Sequence, residues 1–300
     1  MTTGAVAIGG AAEAPWVAAP SRAWQRLARS PLALAGAVAL LLIVAAAMAA
    51  AKVAPHDPGR QSLARRYTPP IWLPGGHAEH PLGTDHIGRD VLSRIIHGAR
   101  ISLLVGVCAV ALSSTLGVGL GLMSGFSAGR VDTVIMTVVD VMLSFPSLLL
   151  ALAFLAALGP SLTTVVLVLG LTGWERYARV VRAEVLVLRE CDFVEAARAM
   201  GAGAARIVLR HMLPNTLSSV IVLATLQVAQ AILQEAALSF LGVGTGKTYP
   251  TWGQMIAQGR DFVTVAWWLP TFPGLAILVT VLSINLVGDR LRDALDPRAT

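Results

Sequence analysis

Long apolar stretches separated by short polar segments set the pattern of this chain. A helix that crosses the hydrocarbon core of a bilayer needs about 20 apolar residues. Six stretches approach or exceed that length: Leu32–Ala51, Ile101–Phe126, Val134–Leu158, Leu162–Val181, Thr216–Leu241 and Thr271–Val287. The sequence therefore predicts an all-α polytopic membrane protein with six transmembrane helices.

The first apolar stretch has two interpretations. The basic residues Arg22, Arg26 and Arg29 precede it, and small residues near Met48–Ala51 resemble the cleavage site of a signal peptide. The stretch is longer than the apolar part of a signal peptide and begins far from residue 1, so we expect an uncleaved anchor. The expected organisation is a cytoplasmic tail (1–30), a first helix (31–51), an extracytoplasmic loop (52–100), a five-helix core (101–289) and a cytoplasmic tail (290–300).

Composition supports the membrane class. The chain is 55% hydrophobic and only 13% charged, with a mean hydropathy of +0.70, outside the usual range of soluble domains. A net charge of +6 could indicate nucleic acid as a partner. However, the basic residues flank the apolar stretches and form no single stripe, so no nucleic acid is expected. Cys108 and Cys191 lie in different segments and offer no disulfide framework.

The distribution of Lys and Arg predicts the orientation. Cytoplasmic loops carry an excess of these residues. With both termini in the cytoplasm, most of the 23 Lys and Arg residues lie inside, including those of the 182–215 loop. The lipid bilayer is thus the first expected partner.

That loop contains a polar, helix-prone insert. The run Glu195-Ala-Ala-Arg-Ala-Met-Gly201 predicts a short helix over residues 192–200 that Gly201 ends. A second short helix is expected from Ala204 to Met212, stopped by Pro214. A helix exposed between two spans is well placed for contact with a soluble partner.

The insert resembles the cytoplasmic loop of the permease subunits of binding-protein-dependent ABC importers. The matching pattern is E-A-A-x3-G-x5-I-x5-L-P. In that family the loop docks on the ATPase subunit and is called the coupling helix. The resemblance assigns this role to Glu195, Ala196, Ala197, Arg198, Ala199, Met200, Gly201, Ile207, Leu213 and Pro214.

Further segments resemble the dipeptide, oligopeptide and nickel branch of this family. They are Pro81–Arg94, Gly98–Leu103, Glu235–Gly242, Pro250–Gly253 and Asn285–Pro297. The last segment, together with the N-terminal span, resembles the C-type subunit. The resemblance covers residues 81–298, and residues 1–30 and 52–79 carry no motif evident from the sequence.

The resemblance implies the fold, activity and partners. It implies a type I ABC importer permease fold in the bacterial inner membrane, with uptake of di- or oligopeptides by alternating access. Nickel, glutathione or another small solute is the alternative substrate. The implied partners are a B-type permease, two ATPase subunits and an extracytoplasmic substrate-binding protein. ATP and Mg²⁺ would bind the ATPase subunits, so no cofactor and no enzymatic activity are expected of this chain.

Several residues within the spans suggest structural roles. Gly117, Gly121 and Gly125 recur at four-residue spacing, which predicts close helix packing. Asp140 and Glu235 are acids inside apolar surroundings, where carboxylates are costly and face a bundle interior or a water-filled cavity. We expect both to line the pathway or a contact with the partner permease. A structural hydrogen bond near the inner boundary is the alternative for Asp140.

Four other patterns carry less weight. Gly242–Thr248 suggests a nucleotide phosphate loop, but the required first glycine is Leu241 and no strand precedes it. Five histidines fall between residues 52 and 100, yet only His77-x2-His80 has compact spacing, so no metal site is expected. The pair Trp267-Trp268 is interpreted as an anchor at the membrane interface. The acidic and basic residues 289–298 alternate, which is typical of a solvated tail.

A self-sufficient carrier or channel is the rival hypothesis from another class. In that case residues 192–214 would lie on the membrane surface as an amphipathic helix. The many alanines there leave little apolar surface for that role. Association with an ATPase subunit separates the two hypotheses.

Overall fold

The computed structural model of the chain describes residues 31–246 and 249–295, and the described part is almost entirely helical. Within these ranges, one antiparallel bridge joins Thr84 and Asp90. The expected tail 1–30, the end of the C-terminal tail (296–300), and Lys247 and Thr248 of the rejected phosphate-loop pattern lie outside the described residues.

The helices are numbered in chain order. They are α1 (Pro31–Met48), α2 (Val91–Ser127), α3 (Gly129–Ser144), α4 (Ser147–Leu158), α5 (Leu162–Leu171), α6 (Trp174–Leu188), α7 (Asp192–Ala199), α8 (Ala204–Phe240), α9 (Trp252–Gly259) and α10 (Trp268–Leu295). A further turn, Ala50–Val53, follows α1, and 3₁₀ turns occur at Leu63–Arg65 and Arg260–Phe262.

The number of continuous spans is lower than expected. In the described ranges, α1, α2, α8 and α10 make four helices long and apolar enough to cross a membrane. The pair α3–α4 makes a fifth if it is counted as one span, although it is bent by 91°. The expected fourth span, Leu162–Val181, is divided between α5 and α6 and is not one continuous helix.

Both breaks have local causes. Between α3 and α4, Phe145 is extended because it precedes Pro146, and a residue before proline is disfavoured in the helical region. Proline also lacks the N–H that would continue the helix. Between α5 and α6, Thr172 and Gly173 leave helical geometry, and both residue types are weak helix formers.

The expected stop at Pro214 is wrong. Residues Val208–Met212 form a π-helical turn that joins Ala204–Ile207 directly to Leu213–Phe240. A proline ring in an α-helix clashes with the carbonyl four residues earlier. The wider π turn relieves that clash at Arg210, so Pro214 sits in the first turn of the long segment without ending the helix.

Glycines bring α2 and α6 into close contact. A Cβ atom added to Gly117 would lie 2.3 Å from the carbonyl oxygen of Trp174, and one on Gly121 would lie 2.8 Å from that of Ala178. A Cβ on Gly125 would lie 2.7 Å from the Cβ of Val185. These three glycines therefore form the surface on which α6 packs.

The polar segment before α2 is tied to the helices around it. Arg89 and Arg94 each donate to Oδ2 of Asp85, at 2.6 and 3.0 Å, and each also donates to Oε1 of Gln258 in α9. This network connects the loop to two helices and holds the start of α2 in place.

The tryptophans differ from the interface anchors expected at Trp267-Trp268. Trp268 is only 4% exposed, and its indole N–H donates to the carbonyl of Thr84 at 3.2 Å. Trp267 alone of the pair is substantially exposed. Trp252 is also buried and donates to the carbonyl of Ile95 at 3.0 Å. Two of these three rings therefore fill the interior and bind the backbone.

Candidate functional site

The short helix α7 is anchored on the helical bundle by a few apolar side chains. Val194 and Ala197, on one face of α7, are buried in a cluster that includes Tyr177, Val181 and Val185 of α6. Ile207, at the start of α8, is buried in the same cluster. The helix is thus fixed against two longer helices.

The opposite face of α7 is open. Glu195, Ala196, Arg198, Ala199 and Met200 are all exposed. Met200 is 82% exposed and Phe193 is 42% exposed. Exposed apolar side chains grouped beside charged residues are typical of protein interaction sites.

Gly201 ends α7 in a left-handed conformation. Its φ angle is +79°, a region that residues with a Cβ atom rarely adopt. The N–H of Gly201 donates to the carbonyl of Arg198 at 2.9 Å, and that of Ala202 donates to the carbonyl of Ala197 at 3.0 Å. This pair of bonds is the Schellman motif. A Cβ atom there would meet nothing within 4 Å, so the requirement for glycine is conformational.

The remaining residues of the expected coupling set belong to α8. Leu213 is half-buried and Pro214 is exposed. The π turn keeps α8 continuous from Ala204 to Phe240, so Ile207 belongs to the same helix as Glu235.

Glu235 lies deep inside the bundle. Its side chain is fully buried, accepts a hydrogen bond from Ser239 at 2.7 Å and receives a longer one from Ser102 of α2 at 3.4 Å. It therefore joins α2 and α8 through a polar contact.

Asp140 has different surroundings. It lies on α3 with a side chain that is 68% exposed, and it pairs with Arg179 of α6. A second ion pair connects the same two helices, since Arg182 donates to both oxygens of Asp132 at 2.5 and 2.6 Å. Ser124 of α2 also donates to Asp132. The charged contacts hold the amphipathic α3 against α6.

A partly exposed polar face shared by α6 and α8 was missed from the sequence. Arg176 donates to the side-chain oxygens of Gln227 and Gln230 at 2.9 and 2.7 Å, and Gln234 lies one turn further along α8. These four side chains border a cavity of about 20 Å³. The spacing of the three glutamines, at three and four residues in an otherwise apolar helix, was the available signal.

One group of side chains in the described residues could hold a metal ion. It consists of His56, His80 and Asp90, whose ligand atoms all lie within 4.8 Å of one another. His77, the partner suggested for His80 by sequence spacing, is not in the group.

Comparisons with known families give two matches. The family described as "Binding-protein-dependent transport system inner membrane component" matches residues 117–300. The family described as "N-terminal TM domain of oligopeptide transport permease C" matches residues 21–70. The second match covers most of the 52–79 stretch and part of the 1–30 tail, for which the sequence motifs had suggested no counterpart.

Curated relatives are similar over nearly their whole length. The di/tripeptide transport system permease protein DppC of Pseudomonas aeruginosa (strain UCBPP-PA14) is 48% identical over 275 residues, which is 92% of this chain and 91% of the relative. The dipeptide transport system permease protein DppC of Escherichia coli (strain K12) is also 48% identical, over 92% of each chain.

Solved structures share the fold. A chain of the methionine ABC transporter MetNI in an inward-facing conformation superposes with a TM-score of 0.55 at 20% identity, covering 67% of this chain and 96% of that one. A chain of an amino acid ABC transporter gives a TM-score of 0.51 at 17% identity, covering 66% and 92%. At this identity the likeness concerns the fold alone.

Proposed function

The chain belongs to the family of inner membrane components of binding-protein-dependent transport systems, and from this premise we propose that it is the C-type permease of a peptide importer. The names of its relatives support di- or oligopeptides as the substrate. In this role the chain forms part of a membrane pathway, and ATP is hydrolysed by other subunits.

The coupling surface is the face of α7 around Met200. The observation that carries this assignment is the contrast between the two faces of the helix. Val194 and Ala197 are buried against the bundle, whereas Met200 is 82% exposed. An exposed apolar residue beside Glu195 and Arg198 suits a groove on a soluble protein, with the apolar contact supplying affinity and the charges supplying orientation.

The mechanism follows from how α7 is connected. A force on α7 passes through Val194 and Ala197 into α6, and through Ile207 into the continuous helix α8. Closure of the ATPase pair would therefore move α6 and α8 together. Since α8 carries Glu235 and the glutamines that bind Arg176, its movement would expose these polar residues to one side of the membrane and then to the other.

The proposed assembly contains this chain, a B-type permease, two ATPase subunits and an extracytoplasmic substrate-binding protein. Both termini and the α7 loop face the cytoplasm, and the segment between α1 and α2 faces the binding protein. The bias of Lys and Arg along the sequence supports this orientation.

Site-specific photo-crosslinking tests the coupling surface. Cys108 and Cys191 are first replaced by serine, and a benzophenone maleimide is attached to a new cysteine in Met200→Cys. The assembled importer should give a crosslink to the ATPase subunit. The matched control is Met123→Cys, because Met123 is also exposed (55%) but lies within α2. Equal crosslinking at both positions, or none at position 200 in an active complex, would contradict the assignment.

A further inference from the structure

Three segments that are distant in sequence meet beside the first turn of α2. His56 follows α1, His80 lies in the connecting segment, and Asp90 is the N-cap residue of α2. His80 Nδ1 and Asp90 Oδ1 are 2.9 Å apart. The ring centroids of His56 and His80 are 4.7 Å apart. Two imidazoles and one carboxylate therefore face the same small volume.

One nitrogen in this group lacks the partner that burial normally requires. Nδ1 of His56 is shielded from solvent and has no hydrogen-bond partner among the described residues. Buried polar atoms in folded proteins nearly always have a partner. In the tautomer that carries its proton on Nε2, His56 has a free lone pair on Nδ1, which is suited to ligate an ion.

Ser93 holds two of the three ligand residues, one through its backbone and one through its side chain. Asp90 Oδ2 accepts from the N–H of Ser93 at 2.7 Å, which leaves Oδ1 directed to His80. The N–H of His56 donates to the hydroxyl of Ser93 at 3.0 Å. Such supporting hydrogen bonds orient ligands before a metal arrives.

We propose that His56, His80 and Asp90 bind a divalent transition-metal ion such as Zn²⁺. Imidazole nitrogen suits zinc and its neighbours, whereas Ca²⁺ and Mg²⁺ prefer oxygen ligands. The separation of up to 4.8 Å exceeds what bonds of about 2.0–2.2 Å allow, so the side chains close by a small movement around the ion.

Metal binding changes which nitrogen of His80 carries the proton. Where His80 Nδ1–H donates to Asp90 Oδ1, the ion takes the place of that proton, and the proton moves to Nε2, so the ring stays neutral. Arg65 lies 3.5 Å from the other ring nitrogen of His80, but it is half-exposed and paired with Glu79. The Arg65 side chain can rotate away from His80 while Glu79 still compensates its charge.

The remaining coordination positions face a cavity of about 430 Å³ that is also bordered by Arg60 and Glu79. Water can therefore complete the coordination. With all three ligands bound, the ion joins the residues that follow the Ala50–Val53 turn, the connecting segment and the start of α2. The bound ion thus holds the segment between α1 and α2 in place, and this role does not depend on the coupling surface.

Metal titration of the full chain in lipid nanodiscs tests the site. The chain carries a purification tag without histidine, and Zn²⁺ binding is followed by calorimetry. Visible absorption of bound Co²⁺ reports on nitrogen ligation. We expect one high-affinity ion per chain and a rise in thermal stability on adding Zn²⁺.

Variants identify the ligands. His80→Ala and Asp90→Asn should each lower Zn²⁺ affinity by more than the roughly 10- to 100-fold caused by loss of an outer-shell partner. Asn is as good an N-cap as Asp, so Asp90→Asn removes the charge while keeping the helix start. His77→Ala is the matched control and should bind like the parent. The proposal is overturned if the parent binds no Zn²⁺ at micromolar concentrations. It is also overturned if His80→Ala and Asp90→Asn both retain parental affinity, or if His77→Ala loses it equally.

Discussion

The carbonyl oxygen of Trp174 lies 2.3 Å from the position that a Cβ atom on Gly117 would occupy. The first residue of α6 therefore rests directly on the backbone of α2, at a distance that only glycine permits. Gly121 and Gly125 repeat this contact one and two turns further along. Since lipid tails give no hydrophobic drive for association, such close packing is what joins helices in a membrane.

Replacing Gly117 or Gly121 by Ala should destabilise the bundle by about 1–3 kcal/mol, the usual cost of overpacking a well-filled interior. The free energy of unfolding, measured by denaturant titration in bilayer-like micelles, checks this. Gly119→Ala is the control, because a Cβ on Gly119 meets nothing within 4 Å. The gain in helix propensity from Gly to Ala is common to both positions, so equal effects at positions 117 and 119 would contradict the packing argument.

Glu235→Ala should lower stability by roughly 1–3 kcal/mol because it leaves the buried hydroxyl of Ser102 without its acceptor. Glu235→Gln keeps an acceptor oxygen and should cost less. Thermal unfolding of both variants in nanodiscs separates the two outcomes. If both variants match the parent in stability and uptake, the contact between α2 and α8 has no structural role.

The two ion pairs between α3 and α6 should differ in strength. The side chains of Asp132 and Arg182 are 18% and 30% exposed, whereas those of Asp140 and Arg179 are 68% and 53% exposed. A double-mutant cycle to Ala should give a coupling energy of about 0.5–3 kcal/mol for the first pair and about 0–1 kcal/mol for the second. The reverse order would contradict the burial argument.

The sequence predicts the long apolar helices and α7 well because those features are local. Gly201 follows a run of strong helix formers, and a left-handed glycine is the common way to end such a helix. The break at Pro146 carries a local signal as well, since proline disfavours helix at Phe145, yet the apolar run Val134–Leu158 outweighed it. At Pro214 the same signal misleads, because a π turn absorbs the proline.

Contacts between distant segments could not be predicted in the same way. His56, His80 and Asp90 are separated by 24 and 10 positions, and only the folding of the segment around the start of α2 brings them together. The compact spacing of His77 and His80 gave no indication of this group, which does not include His77. The hydrogen bonds from Arg176 to Gln227 and Gln230 depend equally on how α6 packs beside α8.

Gly201→Asp should uncouple ATP hydrolysis from uptake while leaving the helices inserted. A residue with a Cβ atom in this left-handed conformation costs about 1–2 kcal/mol, which would re-aim α7. ATPase activity and peptide uptake are measured in the same vesicles. Gly203→Ala is the matched control, because Gly203 has a φ of −69° and open space around it. Normal uptake with Gly201→Asp would show that this turn does not couple ATP hydrolysis to transport.

Glu195→Lys should weaken assembly with the ATPase subunits by reversing one charge on the exposed face of α7. Gel filtration of the complex at several salt concentrations measures the effect, which screening should reduce. Glu190→Lys serves as the control, since Glu190 is exposed just before α7. Equal weakening by both variants would indicate a general charge effect and no specific contact.

The most direct test of the account is uptake of a labelled dipeptide into lipid vesicles. The complete complex contains this chain, its B-type permease, both ATPase subunits and the substrate-binding protein. Uptake is measured with and without ATP on the side of the membrane that holds the ATPase subunits. We expect uptake only in the complete complex with ATP, and neither ATP hydrolysis nor transport from this chain alone. Robust transport by the isolated chain would contradict the assignment as an importer subunit.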